Sequence, residues 1–289
     1  MNKSLHCHKM KDIYAMAGIT KQGFYGRLSR ARNLSEKEGT IIEMAREIRV
    51  NHKKMGCRKI FDEIKPCGLG RDRTERVLLG SGFRIPRKRN YRRTTYAGER
   101  FYYNLISGSV ITDRNRLFVS DITYIPIGYR DHYYLTLVLD VYTRCIKGYS
   151  LSRTMKVEDT VEPSFLMSIK GMDGADLEKL VFHSDRGSQY GSDIMRSHYE
   201  RTKVNPSMGG KAWENAHAES LNGILKNEYI NFENINIPFK TADKMIAKWV
   251  YLYNNERPHG SLNKMKPTEF ETYVDGLTSQ HKPKYKINY

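Results

Sequence analysis

Two aspartates lie at positions in the sequence where a carboxylate could do chemistry. Asp121 lies within LFVSDITYI, where apolar residues alternate as they do in a β-strand. Asp185 ends the apolar stretch LVFHSD, which predicts another strand. If the fold brings these strands together, the two carboxylates repel each other and lose hydration, which costs free energy. A divalent cation such as Mg²⁺, which prefers oxygen ligands, would remove that cost and keep open positions for water and phosphate.

A third carboxylate is predicted on a helix. In the stretch GGKAWENAHAESLNGILKNEY, helical spacing places Asn215, Asn222 and Lys226 on the same face as Glu219. A polar stripe on a helix is usually a solvated surface, but this one follows the two strand aspartates. We therefore expect Glu219 to complete the site from a helix beside the sheet.

Other polar residues leave alternatives open. Asp140 competes as a strand carboxylate, although it precedes a tight turn, where Asp is common. Glu214 competes with Glu219, but it is five positions earlier and points to another helix face. His183 either supports the site or is a satisfied structural histidine. The motif YNNERPHGSLN either packs beside the active-site helix or contacts a DNA backbone.

The elements that must position these residues follow from hydrophobic periodicity. Three strand patterns joined by short connections predict an antiparallel meander, followed by a helix, a fourth strand and further helices. This α+β order is that of a ribonuclease-H-like core, a mixed five-stranded sheet flanked by helices. In such an order the first and fourth strands are neighbours, which places Asp121 beside Asp185. The strand patterns are LFVSDITYI, HYYLTLVLDVY, CIKGYSL and LEKLVFHSD, and helices are predicted from about 213 to 229 and from 241 to 254.

Charge divides the chain into two parts. Residues 1–100 contain 25 Lys and Arg against 10 Asp and Glu, whereas residues 101–289 contain 24 against 22. A basic N-terminal third on a nearly neutral body predicts a polyanion-binding region attached to a separate domain. The 39% apolar content excludes wholesale disorder, and no apolar run is long enough to cross a membrane. We expect a cytoplasmic protein, associated with the nucleoid when it binds DNA.

The basic third is predicted to be helical. Residues 11–31 resemble two short helices separated by Gly18, the outline of a helix-turn-helix, and residues 36–84 predict further helices. A basic linker follows, for which backbone-phosphate contact is the favoured role. The candidate DNA-binding residues of these segments are Lys21, Arg27, Arg87, Lys88, Arg89, Arg92 and Arg93.

Several motifs together resemble a known family. They are SDITYIP, YLTLVLDVYTRCIKGYSL, FHSDRGSQYGS, PSMGGKAWENAHAESLNGILKNE and YNNERPHGSLNKMKPTEF, with GITKQGFYGRL and MGCRKIFDEI in the N-terminal third. The chain resembles the second-frame DDE transposases of the insertion-sequence-three family, whose catalytic core is related to retroviral integrases. The spacing between Asp185 and Glu219 is slightly shorter than is usual in that family.

The resemblance implies an enzyme, a polynucleotidyl transferase with endonuclease activity. It would cut DNA at insertion-sequence ends and join them to target DNA by two-metal phosphodiester transfer. Asp121, Asp185 and Glu219 would be the catalytic and metal-binding triad, holding two Mg²⁺ ions that Mn²⁺ can replace. Lys226 would contact the donor DNA end, with His183, Asn215 and Asn222 supporting the triad.

The resemblance also implies partners. They are double-stranded DNA and at least one further copy of the chain on DNA. The need for an upstream helix-turn-helix protein of the first reading frame is left open. Two alternatives remain, a DNA-binding regulator with an inactive core and a ribonuclease H. The predicted segments are a helix-turn-helix-like segment (1–35), a helical DNA-binding domain (36–85), a basic linker (86–110), an integrase-type core (111–272) and a C-terminal tail (273–289).

Overall fold

A computed structural model of the chain describes residues 10–85, 101–127, 131–210, 212–229 and 237–288. The chain divides into a helical unit, Met1–Asn51 with Met55–Pro86, and a sheet unit, His52–Lys54 with Arg87–Tyr289. Within the described ranges, no helix is long and apolar enough to cross a membrane. Cys57, Cys67 and Cys145 are free thiols.

The helical unit begins with two helices that meet at a glycine. Gly18 has a φ of 63°, a left-handed conformation that favours glycine, and it separates the first helix from the second. The Thr20 hydroxyl accepts a hydrogen bond from Gly23 N at 3.0 Å and so caps the second helix. The helices of this unit are α1 (Met10–Met16), α2 (Lys21–Asn51), α3 (Cys57–Ile64) and α4 (Arg71–Gly80).

Helix α2 is longer than the sequence indicated. The two-helix outline ended near residue 31 and a new helix began near residue 36, but α2 continues through both positions. The intervening ARNLSEKE consists mainly of good helix formers and contains no proline, so nothing ends the helix there. Its C-terminal half packs on α3 and α4 through Ile41 and Ala45, which contact Ile60 and Leu78 in one buried cluster.

The sheet unit contains the predicted strands and several elements that the sequence did not reveal. Its strands are β1 (Val110–Ile111), β2 (Leu117–Ile127), β3 (Asp131–Asp140), β4 (Ile146–Ser152), β5 (Val181–Ser184), β6 (Asn205–Met208) and β7 (Tyr285–Lys286). Its α-helices are α5 (Val161–Ser168), α6 (Gly174–Lys179), α7 (Asp193–Thr202), α8 (Ala216–Ile224), α9 (Phe239–Asn255) and α10 (Pro267–Asp275).

Five strands form the central sheet in the order β4-β3-β2-β5-β6. The β2–β3 and β3–β4 pairs are antiparallel, whereas β5 is parallel to both β2 and β6. The first and fourth strand patterns, β2 and β5, are therefore neighbours, and the predicted ribonuclease-H-like fold is confirmed. The sequence did not locate β6, which has four residues, includes Pro206 and lies at the edge of the sheet.

The two faces of the sheet carry separate cores. Alternation along β2 turns Val119 towards α8 and α9, where it packs with Leu221 and Ile246. Phe118 turns towards α5 and α7 and packs with Phe165 and other buried residues. Asp121 has the same parity as Val119, so it lies on the α8 face of β2.

The long helix predicted from 213 to 229 is built from three kinds of turn. A 3₁₀ turn at Ala212–Asn215 leads into α8, and a π-helical turn at Leu225–Tyr229 continues it. Pi-helical turns contain one more residue per hydrogen-bonded ring than an α-helix and cannot be recognised from periodicity.

The residues predicted as a C-terminal tail pack on the sheet unit. Strand β7 pairs with β1, and Ile287 is buried in the same cluster as Val119. The Tyr142 hydroxyl donates to Pro283 O at 3.0 Å, and Lys282 Nζ lies 2.7 Å from Asp113 Oδ1. This segment is therefore part of the folded unit.

Candidate active site

Asp121 and Asp185 are brought together by the parallel β2–β5 pair. The register pairs Val119 with His183, and each aspartate follows this last pair by two residues. The pKa of Asp121 is raised to about 7. Burial is the largest cause, the negative charge of Asp185 is the second, and the charge of Glu219 adds a smaller contribution. Hydrogen bonds from Ile122 N–H and Asn222 act in the opposite direction. Asp121 is thus a carboxylate whose ionised form needs a cation nearby.

Asp185 is held at the end of β5. Burial raises its pKa, and a hydrogen bond from Gly187 N to its Oδ1, at 3.0 Å, partly offsets this. The fully buried Tyr190 lies close by, since the charges of both aspartates contribute, after burial, to raising its phenol pKa. The Tyr190 hydroxyl lies 2.9 Å from Ser120 Oγ, beside Asp121 in the chain. Tyr190 packs with Phe182 in the cluster on the α5 and α7 face of the sheet, a position close to the aspartates that no sequence pattern indicated.

Glu219 stands apart from this pair. It lies exposed in the first turn of α8, and burial followed by the charge of Asp185 raises its pKa. In the part of the chain that the structure describes, no three His, Cys, Asp or Glu side chains are close enough to hold a metal ion. The structure thus assembles two carboxylates and leaves the third within electrostatic reach of them.

Two buried asparagines attach α8 to β2. Asn222 Nδ2 donates to Asp121 Oδ2 at 2.7 Å, and Asn215 Nδ2 donates to Ser120 O at 2.9 Å. The predicted helix face carrying Asn215, Glu219 and Asn222 is therefore turned towards the strand that carries Asp121. The asparagines fix the rotation of α8 about its axis.

His183 and Glu214 shape the segment before α8. His183 is fully buried; its Nε2 donates to Glu214 O at 3.0 Å, and its Nδ1 lies 2.8 Å from Ser207 Oγ. Burial lowers the pKa of His183 to about 4, so the ring is neutral at pH 7. The Glu214 carboxylate accepts a short hydrogen bond from Gly210 N. These contacts make both residues supports for the loop, and they favour Glu219 over Glu214 as the third carboxylate.

Lys226 lies in the π-helical turn after α8. It is half-buried, and burial lowers the pKa of its ammonium group while the charge of Asp121 opposes that shift. The structure therefore places a cation close enough to Asp121 for the two charges to interact.

The YNNERPHGSLN motif packs inside the sheet unit. Buried Arg257 donates from Nε and Nη2 to the two carboxylate oxygens of Glu228 at 2.7 and 2.8 Å. Its guanidinium also lies 5.7 Å from the centre of the Tyr253 ring. Asn254 exchanges two hydrogen bonds with the backbone of Ile146 in β4. Of the two roles that the sequence left open, the structure favours packing beside the active-site helix.

The remaining candidates are dispersed. Asp140 is fully buried and caps the β3–β4 turn by accepting from Tyr142 N at 2.9 Å and from Thr143 Oγ1 at 3.0 Å. Lys21 and Arg27 are exposed on α2. The linker candidates Arg87, Lys88, Arg89, Arg92 and Arg93 lie outside the described residues.

Two family matches cover this site. The family described as "Integrase core domain" matches residues 112–212, and a second family with the same description matches residues 200–267. Together they span more than half of the chain. Residues 112–267 of this chain thus match integrase-core families. The resemblance stated from the sequence motifs is therefore confirmed.

Relatives of this integrase-core chain are insertion-sequence proteins. The 31 kDa protein of insertion element IS600 from Shigella sonnei is 29% identical over 88% of this chain and 95% of its own length. The transposase of insertion sequence element IS629 from the same organism is 28% identical over 79% of this chain and 77% of its own length. The integrase core and these relatives identify the chain as a transposase-type enzyme, a polynucleotidyl transferase.

A solved structure has a similar architecture. The catalytic core domain of HTLV-2 integrase, determined in complex with magnesium in a dimeric form, is 18% identical. The similarity covers 55% of this chain and 97% of that domain, with a TM-score of 0.43.

Proposed function

We propose that this protein is a DNA transposase that cuts DNA at the ends of an insertion sequence and joins those ends to target DNA. The observation that carries the proposal is the proximity of Asp121 on β2 to Asp185 at the end of the parallel strand β5, with Glu219 on α8 and Lys226 in the π-helical turn that follows. The integrase-core family and the transposase relatives agree with this assignment.

The residues present fit a divalent cation. Asp121 and Asp185 offer hard oxygen ligands. Burial raises the pKa of each carboxyl group, so a bound cation would stabilise the ionised form of both. We infer that both aspartates bind Mg²⁺ or Mn²⁺ and that the Glu219 side chain turns inward to join them. Two bound ions would supply an activated hydroxyl group and stabilisation of the leaving oxygen.

The chain's own groups orient these ligands. Asn222 holds Asp121 by its Oδ2, and the lone pairs of that carboxylate that remain could bind a cation. Gly187 N–H holds Asp185 in the same way through Oδ1. Lys226 supplies a positive charge close to Asp121, where a DNA phosphate would need to approach. A reaction of this kind needs no covalent protein–DNA intermediate.

DNA binding and assembly complete the proposal. Exposed Lys21 and Arg27, together with the basic segment 87–93, would contact phosphates of double-stranded DNA. Joining two element ends requires at least two copies of the chain on DNA. An upstream helix-turn-helix protein of the first reading frame is a further proposed partner.

The test is strand cleavage and joining on labelled element-end DNA with Mg²⁺ or Mn²⁺. We compare the wild-type protein with Glu219→Gln and with Glu214→Gln as the matched control. We expect activity to fall at least about 100-fold in Glu219→Gln, a loss of about 3 kcal/mol of transition-state stabilisation. Glu214→Gln should retain activity if it folds with an unchanged unfolding temperature.

Other results would change the assignment. Loss of activity only in Glu214→Gln would make Glu214 the third ligand. DNA binding by the wild-type protein without cleavage would favour a regulator, and cleavage confined to RNA–DNA hybrids would favour a ribonuclease H.

A further inference from the structure

Arg186 directly follows Asp185 in the loop after β5. Its side chain is partly buried, and its buried Nε has no hydrogen-bond partner among the described residues. A guanidinium group remains charged at every physiological pH, so an unsatisfied buried N–H of this group is costly. A ligand that accepts hydrogen bonds from the guanidinium group would offset this cost.

The loop between β6 and α8 is shaped around this guanidinium. A Cβ atom added to Gly210 would overlap Arg186 Nη2 and would lie 3.3 Å from Cζ. The backbone N–H of Gly210 is engaged by the Glu214 carboxylate, which fixes the loop next to the arginine. Glycine at position 210 therefore leaves the space that the guanidinium occupies.

The charge around Arg186 identifies the kind of ligand. Asp121, Asp185 and Glu219 are acidic, and the Glu214 carboxylate lies on the Gly210 loop beside the guanidinium. This concentration of negative charge repels a phosphodiester unless cations flank it. Lys226 supplies a cation near Asp121, and Arg186 supplies one at the residue next to Asp185. Phosphate oxygens match the planar donor geometry of a guanidinium group.

We propose that Arg186 binds a backbone phosphate of the DNA strand that enters the active site, on the Asp185 side of the carboxylates. This inference rests on the proposed function, because it assumes that DNA passes the carboxylate pair. The contact is independent of DNA sequence and adds to those made by Lys226 and the basic N-terminal third.

The experiment measures binding of the full-length protein to a short fluorescent DNA duplex in EDTA, by anisotropy, between about 50 and 200 mM salt. Each phosphate contact contributes about 0.9 to the slope of log K against log salt. We expect Arg186→Gln to reduce the magnitude of the slope by about that amount, and Arg186→Lys to keep most of it.

Two further variants make the test specific. Arg116→Gln removes the same charge from the same unit, but Arg116 Nη1 already donates to Asp176 Oδ1 at 2.9 Å, so the slope should not change. Gly210→Ala keeps every charge and displaces the guanidinium, so binding should weaken while the thermal unfolding midpoint stays close to that of the wild type. This variant also carries the test if Arg186→Gln does not fold.

The outcomes separate this inference from the proposed function. A wild-type slope in a folded Arg186→Gln, or an equal fall in Arg116→Gln, would overturn the phosphate contact. Cleavage with Mg²⁺ is assayed separately with the wild-type protein and Asp121→Asn. If cleavage is absent but the slope falls in Arg186→Gln, the transposase function fails and the phosphate contact stands.

Discussion

The sheet and helix α8 hold their carboxylates in different ways. Asp121 and Asp185 are fixed by a parallel strand register, and each accepts a hydrogen bond that orients it. Glu219 is exposed on the first turn of α8, and its position depends on the asparagines that attach that helix to β2. The sheet thus provides a preformed pair of ligands, whereas the helix provides an adjustable third one.

This difference separates two kinds of failure. Replacing Asp121 or Asp185 by a neutral residue removes a ligand. It should not destabilise the fold, because burying the charge of either aspartate costs stability. A change in the supports of α8 leaves every carboxylate present but alters where the third one lies. Catalysis, stability and metal affinity should respond differently to the two kinds of change.

The largest effect is expected for Asp121→Asn. Strand cleavage should fall at least about 1000-fold, since a metal ion contributes several kcal/mol of charge stabilisation. Circular dichroism should show an unchanged fold. A folded variant that keeps wild-type cleavage would remove Asp121 from the catalytic pair.

The same variant has an expected pH signature when no metal is present. Because the pKa of Asp121 is raised from 3.8 to about 7, its contribution to stability is complete below about pH 4 and is lost as pH rises through 7. Thermal unfolding in EDTA should therefore show wild-type stability falling relative to Asp121→Asn between pH 4 and pH 8. Parallel pH profiles for the two proteins would contradict the burial of an ionisable Asp121.

A loss of stability of about 3–5 kcal/mol is expected for Arg257→Met, because it separates a buried ion pair and leaves Glu228 without its two-pronged partner. Denaturant unfolding measures this loss. Arg257→Lys is the matched control, since it keeps the charge but not the two-pronged geometry. Its free energy of unfolding should lie between those of the wild type and Arg257→Met. Equal stability in all three proteins would show that the pair does not anchor the turn after α8.

Asn222→Ala should have a smaller and more specific effect. Removing a residue that orients a metal ligand lowers metal affinity about 10- to 100-fold. The concentration of Mn²⁺ needed to raise the unfolding temperature measures that affinity. Asn215→Ala, which loses a contact to the Ser120 carbonyl but none to a proposed metal ligand, is the comparison and should lower the affinity for Mn²⁺ less than Asn222→Ala does. Equal shifts in both variants would indicate a general loosening of α8.

The smallest effect is expected far from the carboxylates. Arg27→Gln should weaken DNA binding only a few-fold and reduce the salt slope by about 0.9, as for one exposed phosphate contact. The cleavage rate at saturating DNA should stay at the wild-type value. A fall in that rate would mean that Arg27 takes part in more than binding.

Local patterns were sufficient for most of the fold. The alternation around Asp121 and the apolar stretch before Asp185 located β2 and β5, and the order of elements made them neighbours. Strand β6 was not located, because four residues that include Pro206 carry no periodic signal. The continuity of α2 was missed because the helical spacing was followed in two separate stretches, 11–31 and from 36 onwards, although no residue between them ends a helix.

Residues of the site could be predicted only where the spacing within a single helix or strand places them. The face of α8 follows from helical spacing, so Asn222 could be assigned to it before its bond to Asp121 was seen. The pairing of Arg257 with Glu228 joins residues 29 positions apart, one after α9 and one in the π-helical turn. The position of Tyr190 near the aspartates and the space that Gly210 leaves for Arg186 also depend on tertiary contacts, which spacing does not encode.

The π-helical turn at Leu225–Tyr229 makes the length of the chain as important as its residue types. Removing one residue within it would restore an ordinary helical ring and turn Glu228 by about 100° around the axis, away from Arg257. Adding one residue would turn it by a similar angle in the other direction. Insertions and deletions should therefore be tolerated far less in this turn than substitutions at its exposed position, Asn227.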